Sequence, residues 1–370
     1  MAAFRPPRTP TDQPPAMRLP VRGRGASHDL PNRFERLHLE PEAAFGGEHE
    51  QPRKTRFFID RSQGVISRNS SPDLGFSVSL NPYRGCEHGC SYCYARPTHE
   101  YLGFSAGLDF ESRIMVKPDA PELLKRALSA RAWKPRTLAL SGVTDPYQPV
   151  ERRLGITRAC LEVLLECRHP ASIITKNHLV ARDIDILSRM AEHGTVMVTL
   201  SITTLRGDLR RVMEPRTSIP ARRLAAVRAL ADAGVPVGVN VAPLIPGLND
   251  HELPEILGAA RAAGASHAGM MLLRLPFGVK ELFAEWLEQH FPDRRNKVLA
   301  RLREMHGGKL YDSRFGRRGR GRGPFAEQLW NLFQVGCRKL GLNRRSYELA
   351  TDGFRRPERG GQMRLFDAGG

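Results

Sequence analysis

The sequence lacks long hydrophobic runs, and cysteine is scarce in it. No stretch approaches the roughly 20 apolar residues that a membrane-spanning helix requires, and no apolar segment of the secretory type follows Met1. We therefore expect a cytoplasmic protein without a membrane partner. The six cysteines could pair as disulfides, but three of them lie within eight residues of one another. In a large cytosolic chain such a cluster favours a metal site.

Acidic side chains are also few. The chain has 39 Asp and Glu against 57 Lys and Arg, which gives a formal net charge of +18. Residues 294–370 alone carry 19 basic and 7 acidic side chains, so two thirds of the excess lies in the last fifth of the chain. A charge balance of this kind indicates polyanions as partners.

Three zones follow from the composition. Residues 1–56 are rich in Pro, Arg and Gly with little apolar periodicity, which predicts a disordered tail. Residues 57–293 alternate short apolar runs with segments of helical period, which predicts parallel strands joined by crossover helices. Residues 294–370 form a basic extension in which two more helices are predicted.

Six apolar runs qualify as strands buried on both faces. They are Phe76–Leu80, Thr137–Leu140, Ala171–Thr175, Thr195–Leu200, Pro236–Val241 and His267–Leu273. Helices are predicted at Pro121–Arg131, Thr157–Cys167, Ala181–His193, Ile219–Ala233, His251–Ala263, Val279–Gln289, Arg295–Met305 and Phe325–Leu340. Six β-α units do not close an eight-stranded barrel, so an open barrel or a doubly wound sheet would follow. In both, chemistry belongs at the carboxyl ends of the strands.

The cysteine cluster follows the first predicted strand. Cys86, Cys90 and Cys93 form the pattern Cys-x3-Cys-x2-Cys, and three thiolates in one short loop suit three corners of a cubane iron-sulfur cluster. The fourth iron then has no nearby protein ligand, which is a catalytic arrangement. The alternatives are a zinc site completed by His88 or His99, and buried cysteines with no ligand role.

The motif, with Tyr92 as the aromatic residue before Cys93, resembles the signature of the radical S-adenosylmethionine superfamily. The six β-α units resemble its partial (β/α)6 TIM-like barrel. The resemblance implies a [4Fe-4S] cluster, S-adenosylmethionine as second cofactor, and a reductase, flavodoxin or ferredoxin as electron donor. It also implies reductive cleavage of S-adenosylmethionine to a 5′-deoxyadenosyl radical that abstracts a hydrogen atom from substrate.

The same resemblance assigns cofactor-holding groups to the loops after successive strands. These residues are Tyr92, Thr144, Asp145, Lys176, Ser201, Ile245 and Gly247. Thr144 and Asp145 replace the family's Gly-Gly-Glu-like segment, and residues 243–250 resemble its adenine-contacting segment with Pro in place of the first Gly. Each assignment has an ordinary alternative: an Asp-Pro turn that caps a helix, a solvated lysine, a structural serine, or a plain Pro-Gly loop.

Segments around the cysteine loop and residues 144–149 resemble bacterial proteins related to spore photoproduct lyase. That enzyme reverses a thymine dimer in DNA and needs an active-site cysteine to return a hydrogen atom. Cys160, Cys167 and Cys337 instead lie on apolar helix stripes and are predicted to be core residues. We therefore do not expect repair by the same mechanism, and Tyr147 is a candidate hydrogen donor.

Five arginines alternate with glycines in residues 314–323, beside Phe315. They are Arg314, Arg317, Arg318, Arg320 and Arg322. Guanidinium groups pair with phosphates and stack on bases, so this loop predicts nucleic-acid binding, although a solvated interhelical loop is the alternative. The leading hypothesis is a lyase-like radical enzyme acting on DNA or RNA. The competing hypotheses are the same barrel with a peptide or protein substrate, and a non-catalytic cluster-containing protein that binds nucleic acid.

Overall fold

The computed structural model describes residues 19–34 and 54–358. The strands are β1 Arg56–Ile59, β2 Ile66–Arg68, β3 Val78–Leu80, β4 Tyr83–Arg84, β5 Arg113–Val116, β6 Leu138–Leu140, β7 Ala171–Thr175, β8 Val196–Ser201, β9 Val237–Leu244 and β10 His267–Leu272. The helices are α1 Asp109–Ser112, α2 Ala120–Ser129, α3 Glu151–Leu154, α4 Ile156–Glu166, α5 Ile184–Glu192, α6 Gly207–Met213, α7 Pro220–Asp232, α8 Leu253–Ala262, α9 Val279–His290, α10 Pro292–Met305 and α11 Pro324–Leu340. Short 3₁₀ helices lie at Arg96–Leu102, His178–Asp183 and Asp250–Glu252.

The main sheet has seven strands in the order β10-β9-β8-β7-β6-β3-β2. Its six parallel members, β3 and β6 to β10, are the six strands predicted from the sequence, and β2 pairs antiparallel with β3 at the edge. Each parallel strand lies beside the next one in the chain. A doubly wound sheet would reverse its order at a switch point, so the sequential order is that of a partial (β/α)6 barrel.

A second, smaller sheet flanks the first βα connection. It has the order β1-β5-β4, with β1 parallel and β4 antiparallel to β5. Because β4 lies between β3 and the cysteine loop, this sheet fixes the start of that loop. The sequence signal for it is weak, since its strands have two to four residues and β1 is exposed along its length.

The core is formed by the strands and the inward faces of the helices. Strands β3 and β6 are buried at every position, as parallel strands covered on both faces should be. Cys160 on α4, Cys167 directly after α4 and Cys337 on α11 are buried, as their amphipathic spacing predicts. The helices α10 and α11 belong to this same core through Val298, Leu302, Leu329 and Phe333. The basic extension from residue 294 is therefore packed on the barrel.

The sequence predicted a disordered tail over residues 1–56, of which residues 1–18 and 35–53 lie outside the described part of the chain. Residues 19–34 instead pack against the cysteine loop. The backbone amides of Gly25 and Ala26 donate to the buried carboxylate of Glu111 at 3.1 and 3.0 Å. A Cβ on Gly25 would lie 1.7 Å from the carbonyl oxygen of Gly89, so only glycine fits there. This segment thus packs against the back of the cysteine loop, through backbone contacts that composition does not reveal.

The part of the chain after α11 folds back over the barrel. The amide of Ala350 donates to the carbonyl of Gly194 at 3.0 Å, and that of Arg355 to the carbonyl of Cys167 at 2.8 Å. Across residues 19–34 and 54–358, no helix is both long and apolar enough to cross a membrane.

Candidate active site in the barrel mouth

The cysteine loop is held by backbone bonds and one buried arginine. Its tight turns place Gly85 and Gly89 at φ of +77° and +64°, a region that glycine adopts without strain. The fully buried guanidinium of Arg96 donates to the carbonyl oxygens of Cys90 at 3.0 Å and Gly107 at 2.7 Å. Its charge is balanced by Glu111 at 3.0 Å. The loop is therefore rigidly placed before any cofactor binds.

All three loop cysteines face one cavity of about 210 Å³ at the carboxyl ends of the barrel strands. The cavity is lined by Leu74, Phe76, Cys86, His88, Cys90, Tyr92, Cys93, Tyr94, Ser141, Val143, Thr144, Asp145, Ile174, Thr175, Lys176, Ser201, Asn240, Ala242, Pro243, Met271, Leu272, Leu273 and Arg274. Every one of the six parallel strands ends in, or is followed by, residues that line it. The cavity thus lies where the barrel fold predicts chemistry.

The donor set fits an iron-sulfur cluster. Burial raises the pKa of Cys86, Cys90 and Cys93, and the neighbouring thiols raise that of Cys86 further. Within the described residues, no group of three or more His, Cys, Asp or Glu side chains is spaced to hold a single metal ion. Three soft sulfur ligands that line one cavity match a cluster whose corners each take one thiolate.

His88 and His99, the residues that would complete a zinc site, lie in different places. His88 lines the cavity, and its Nδ1 is 3.3 Å from Oδ2 of Asp145. His99 lies outside the cavity, where its Nε2 is 2.9 Å from the carbonyl oxygen of Arg113 and burial lowers its pKa to about 4. A zinc site that uses His99 is therefore incompatible with this packing.

Both carboxylate oxygens of Asp145 accept hydrogen bonds. Oδ1 accepts from the amide of Tyr147 at 2.9 Å and from the hydroxyl of Thr175 at 2.7 Å, and Oδ2 accepts from the amide of Lys176 at 2.7 Å. Burial alone would raise its pKa, but His88 and these donors lower it, so the carboxylate is ionised. The geometry makes Asp145 a link between the loops after β6 and β7.

Thr144 is held in the same loop by its neighbours. Its amide, with those of Gly142 and Val143, donates to the side-chain oxygen of Asn81 at 3.1 to 3.3 Å. Its hydroxyl donates to the carbonyl of Tyr83 at 3.0 Å. Asn81 therefore fixes the shape of the segment that replaces the Gly-Gly-Glu-like motif.

Lys176 and Tyr92 meet at a buried carboxylate that the sequence did not single out. Glu214 is fully buried and accepts from the hydroxyl of Tyr92, from that of Thr203 at 2.7 Å, and from the guanidinium of Arg223. The Nζ of Lys176 is 3.5 Å from Glu214 and donates to the carbonyl of Ala242 at 3.1 Å. Tyr92 therefore forms part of the cavity floor beneath a fixed ammonium group. No local pattern marks Glu214, because its partners come from four separate segments.

The two residues predicted to contact the adenine ring, Ile245 and Gly247, lie outside the cavity wall, whereas Ser201 lines the cavity. Ile245 is fully buried, and its amide donates to the side chain of Asn249 at 2.6 Å, while Gly247 packs beside Lys297 of α10. The longer extent of β9, to Leu244, carries the chain past the cavity wall before Ile245. Ala242 and Pro243 occupy the wall instead.

Tyr147 also lies away from the cavity. Its ring is fully buried, and its hydroxyl donates to Oδ2 of Asp183 at 3.1 Å. Asp183 is further held by Arg182 and Arg158. The candidate hydrogen donor is thus a core residue, and Tyr92 and Tyr94 are the tyrosines whose rings line the cavity.

Replacing Tyr147 by phenylalanine is expected to change stability and leave catalysis intact. The variant loses one hydrogen bond, while Asp183 keeps its arginine partners, so the free energy of unfolding should fall by about 1 kcal/mol. Urea unfolding and 5′-deoxyadenosine formation would be measured on the same preparation. A loss of product formation without loss of stability would contradict the core assignment and restore Tyr147 as a catalytic residue.

Arg274 is a cavity residue that the sequence reasoning missed. It follows β10, so the strand-end rule that identified Lys176 and Ser201 would have found it. Its guanidinium carbon lies 4.9 Å from the centroid of the Tyr94 ring, and its buried Nε has no hydrogen-bond partner among the described residues. A cation with an unsatisfied donor beside an exposed aromatic ring suits an anionic group of a ligand.

The arginine loop borders this cavity. The amide of Leu272, a lining residue, donates to the carbonyl of Gly319 at 2.9 Å. On the other side, Arg318 Nε and the amide of Gly316 bind the carboxylate of Asp73 at 2.6 and 2.7 Å, next to the lining residue Leu74. The loop therefore spans the rim from β10 to residues 71–74.

The remaining loop arginines have different surroundings. Arg314 pairs with Asp312 at 2.7 Å, and Arg320 lies 4.8 Å from the centroid of the Trp330 ring. Arg317 and Arg322 make no side-chain ion pair with any described residue. Phe315 is 59% exposed, with the guanidinium of Arg318 at 4.7 Å from its centroid. The rim thus presents cations and an aromatic ring to solvent.

Comparisons with known proteins agree with this site. Residues 80–260 match the family model of the radical SAM superfamily. An uncharacterised protein of Mycobacterium tuberculosis is 36% identical over 235 residues, 63% of this chain and 68% of its own length. One of Methanocaldococcus jannaschii is 28% identical over 59% of this chain and 78% of its own length. A double mutant of spore photoproduct lyase, solved with bound AdoMet and dinucleoside spore photoproduct, has a TM-score of 0.54 at 20% identity and covers 77% of this chain and 80% of its own.

The chain belongs to the radical SAM superfamily. It is accordingly an enzyme that uses a [4Fe-4S] cluster and S-adenosylmethionine, as the cysteine motif predicts, and it needs an electron donor. The solved lyase structures share its fold.

Proposed function

We propose that this enzyme acts on a nucleic acid, with the cluster on Cys86, Cys90 and Cys93. The observation that carries the proposal is the arginine loop at the rim of the cavity that the three thiols face. None of the six cysteines, all of which are described, forms a disulfide, so the three loop thiols are available to a cluster. We place the enzyme in the cytoplasm, the location predicted from the sequence. The radical chemistry is that of the superfamily, and the nucleic-acid substrate is what we propose.

When bound, the cluster supplies the electron that cleaves S-adenosylmethionine to methionine and a 5′-deoxyadenosyl radical. The protein provides the position and the dry surroundings. Arg96 and the two turn glycines hold the three thiols toward one cavity. Lys176, fixed between Glu214 and Ala242, holds a positive charge at the cavity wall for the methionyl carboxylate.

The other predicted cofactor residues divide into two roles. Ser201 lines the cavity at the end of β8 and offers a hydroxyl to the cofactor. Asp145 and Thr144 act as positioning residues, because their polar atoms already bind the loops around them. Ala242 and Pro243 replace Ile245 and Gly247 as the wall for the adenine ring.

The rim supports a nucleic-acid substrate by its chemistry. Arg317 and Arg322 offer guanidinium groups to phosphates, and Phe315 and Tyr94 offer rings on which bases stack. Arg274 provides a cation inside the cavity next to Tyr94. The solved lyase with a dinucleoside bound on the same fold is consistent with such a substrate. Among the described residues, no cysteine outside the loop lines the cavity, which argues against hydrogen return by cysteine.

Contacts between the arginine loop and phosphates should make the binding of nucleic acid depend on the salt concentration. For the double variant Arg317→Gln, Arg322→Gln, we expect weaker binding of a single-stranded oligonucleotide at every sequence tested. The slope of log K against log salt should become shallower by about 0.7 for each phosphate that the variant no longer neutralises. Fluorescence anisotropy over a salt series would measure this. The matched control is Arg189→Gln, Arg338→Gln, which removes the same charge from the exposed faces of α5 and α11.

A second experiment would look for a chemical change in the nucleic acid. The reduced enzyme would be incubated with S-adenosylmethionine and DNA or RNA, and digested nucleosides would be examined by mass spectrometry for a change in mass. Equal binding by the loop variant and the control would overturn the nucleic-acid proposal. So would 5′-deoxyadenosine formation stimulated by peptides and not by nucleic acid.

A further inference from the structure

A second basic feature lies beside the cysteine loop. Two adjoining clefts of about 610 and 550 Å³ share Pro149, Arg152 and Arg216 and so form one groove, which we call the basic groove. Its basic side chains are Arg22, Arg24, Lys54, Arg152, Arg153, Arg210, Arg216, Arg222 and His178. They come from residues 19–34, from the segment just before β1, and from the loops and helices after β6, β7 and β8.

The groove carries a strong positive charge. Glu87 is the one acidic side chain among its described lining residues, and it is bound by Arg216 at 3.2 Å and by the amide of Val150 at 2.7 Å. The side chains of Arg152 and Arg222 are exposed and make no hydrogen bond or ion pair within the described part of the chain. Burial, with the charges of Arg222 and Arg152, lowers the pKa of His178.

The groove and the cavity lie on different sides of the cysteine loop. Cys86 and His88 line the cavity, whereas Glu87, the residue between them, lines the groove. The same division occurs after β7, where Lys176 lines the cavity and Asn177 the groove. The two share no lining residue among those described. The cysteine loop itself therefore separates the groove from the cavity that the thiols face.

We infer that the basic groove is the docking surface for the electron donor, an acidic one-electron carrier protein with a flavin or iron-sulfur group. In this step one electron leaves the reduced carrier and reaches the cluster, and no bond or proton moves. The inference rests on the proposed cluster position at Cys86, Cys90 and Cys93. Charge complementarity would steer the carrier to the groove and raise its association rate.

The separation from the cavity favours a carrier over substrate. A substrate must touch the reacting atoms in the cavity, which the groove does not line. An electron needs only a short path through the protein, and the amide of Arg216, which donates to the carbonyl of His88 at 3.3 Å, connects the groove wall to the loop. The groove thus offers closeness to the cluster without obstructing the cavity mouth.

The test uses the full-length cluster-loaded enzyme and an acidic flavodoxin as the probe. The variant is Arg152→Glu, Arg222→Glu, and the matched control is Arg189→Glu, Arg338→Glu, with the same change in charge. We expect the groove variant to bind oxidised flavodoxin at least about tenfold more weakly, measured by the fluorescence anisotropy of a dye attached to flavodoxin, and to accept electrons from reduced flavodoxin correspondingly more slowly in stopped flow. Reduction by dithionite should stay equal in all three proteins, and the control should match the wild type.

Each other outcome counts against the inference. Unchanged flavodoxin binding by the groove variant would overturn it, as would an equal loss in the control. A selective loss of oligonucleotide binding with flavodoxin binding intact would identify the groove as a nucleic-acid track instead. The binding readout does not need the cluster, so a failure to assemble the cluster, seen in its visible absorbance, is distinguished from a failure of docking.

Discussion

Replacement of Cys86, Cys90 or Cys93 by alanine is expected to reduce 5′-deoxyadenosine formation to the level without enzyme. Each thiol faces the same cavity, and removal of one leaves two ligands for a cluster that needs three corners held. The measurement is anaerobic reconstitution with iron and sulfide, reduction, addition of S-adenosylmethionine, and quantification of the nucleoside product. Iron and sulfide content would be determined on the same samples and should fall with activity.

The matched controls are Cys160→Ala and Cys167→Ala. Both thiols are buried in the core, on α4 and directly after it, away from the cavity, so these variants should keep the cluster and form product at the rate of the wild type. Product formation by a triple variant of the loop cysteines would contradict the assignment. One zinc per chain with no acid-labile sulfide would contradict it in a second way and support the zinc alternative.

The barrel could be predicted from the sequence because its strands are short, near-continuously apolar runs separated by segments of helical period. Ala171–Thr175 begins and ends as predicted, and the other five parallel strands shift by at most three residues at either end. Strand β9 has the largest change, since it continues from Val241 to Leu244. That extension moves the cavity wall to Ala242 and Pro243 and explains why Ile245 lies in the core.

The parts that were not predicted depend on contacts between distant segments. Residues 19–34 pack on the cysteine loop through the amides of Gly25 and Ala26, and backbone donors leave no trace in composition. The arginines of the basic groove come from several separate segments of the chain, so no single stretch of sequence marks the groove. By contrast, the local motif predicted one loop for Cys86, Cys90 and Cys93, and all three line the cavity because the end of a strand fixes the position and direction of the loop that follows it.

Glu214 shows what such distant contacts contribute to the site. It is fully buried with Arg223, which also donates to the carbonyl oxygens of Ser201 and Ser218 at 2.8 Å. Burial alone would raise the pKa of Glu214, but Arg223 and Lys176, together with hydrogen bonds from Tyr92 and Thr203, hold it well below the usual range of a glutamate. The carboxylate thus keeps two cations and one ring in place under the cavity.

Replacing Glu214 by alanine should therefore lower the free energy of unfolding by about 3 to 5 kcal/mol, because the charge of Arg223 stays buried without its partner. Urea unfolding of the apoprotein at neutral pH would measure this, and Glu214→Ala, Arg223→Met, which removes both charges, should recover a large part of the stability. A folded-state pKa below the unfolded one gives stability that is complete above the unfolded value and is lost as the pH falls through it toward the folded value. The difference between wild type and Glu214→Ala should accordingly narrow as the pH is lowered from about 6 to about 3. A difference that is constant over this range would show that the carboxylate charge does not stabilise the fold, and that Glu214 acts by packing alone.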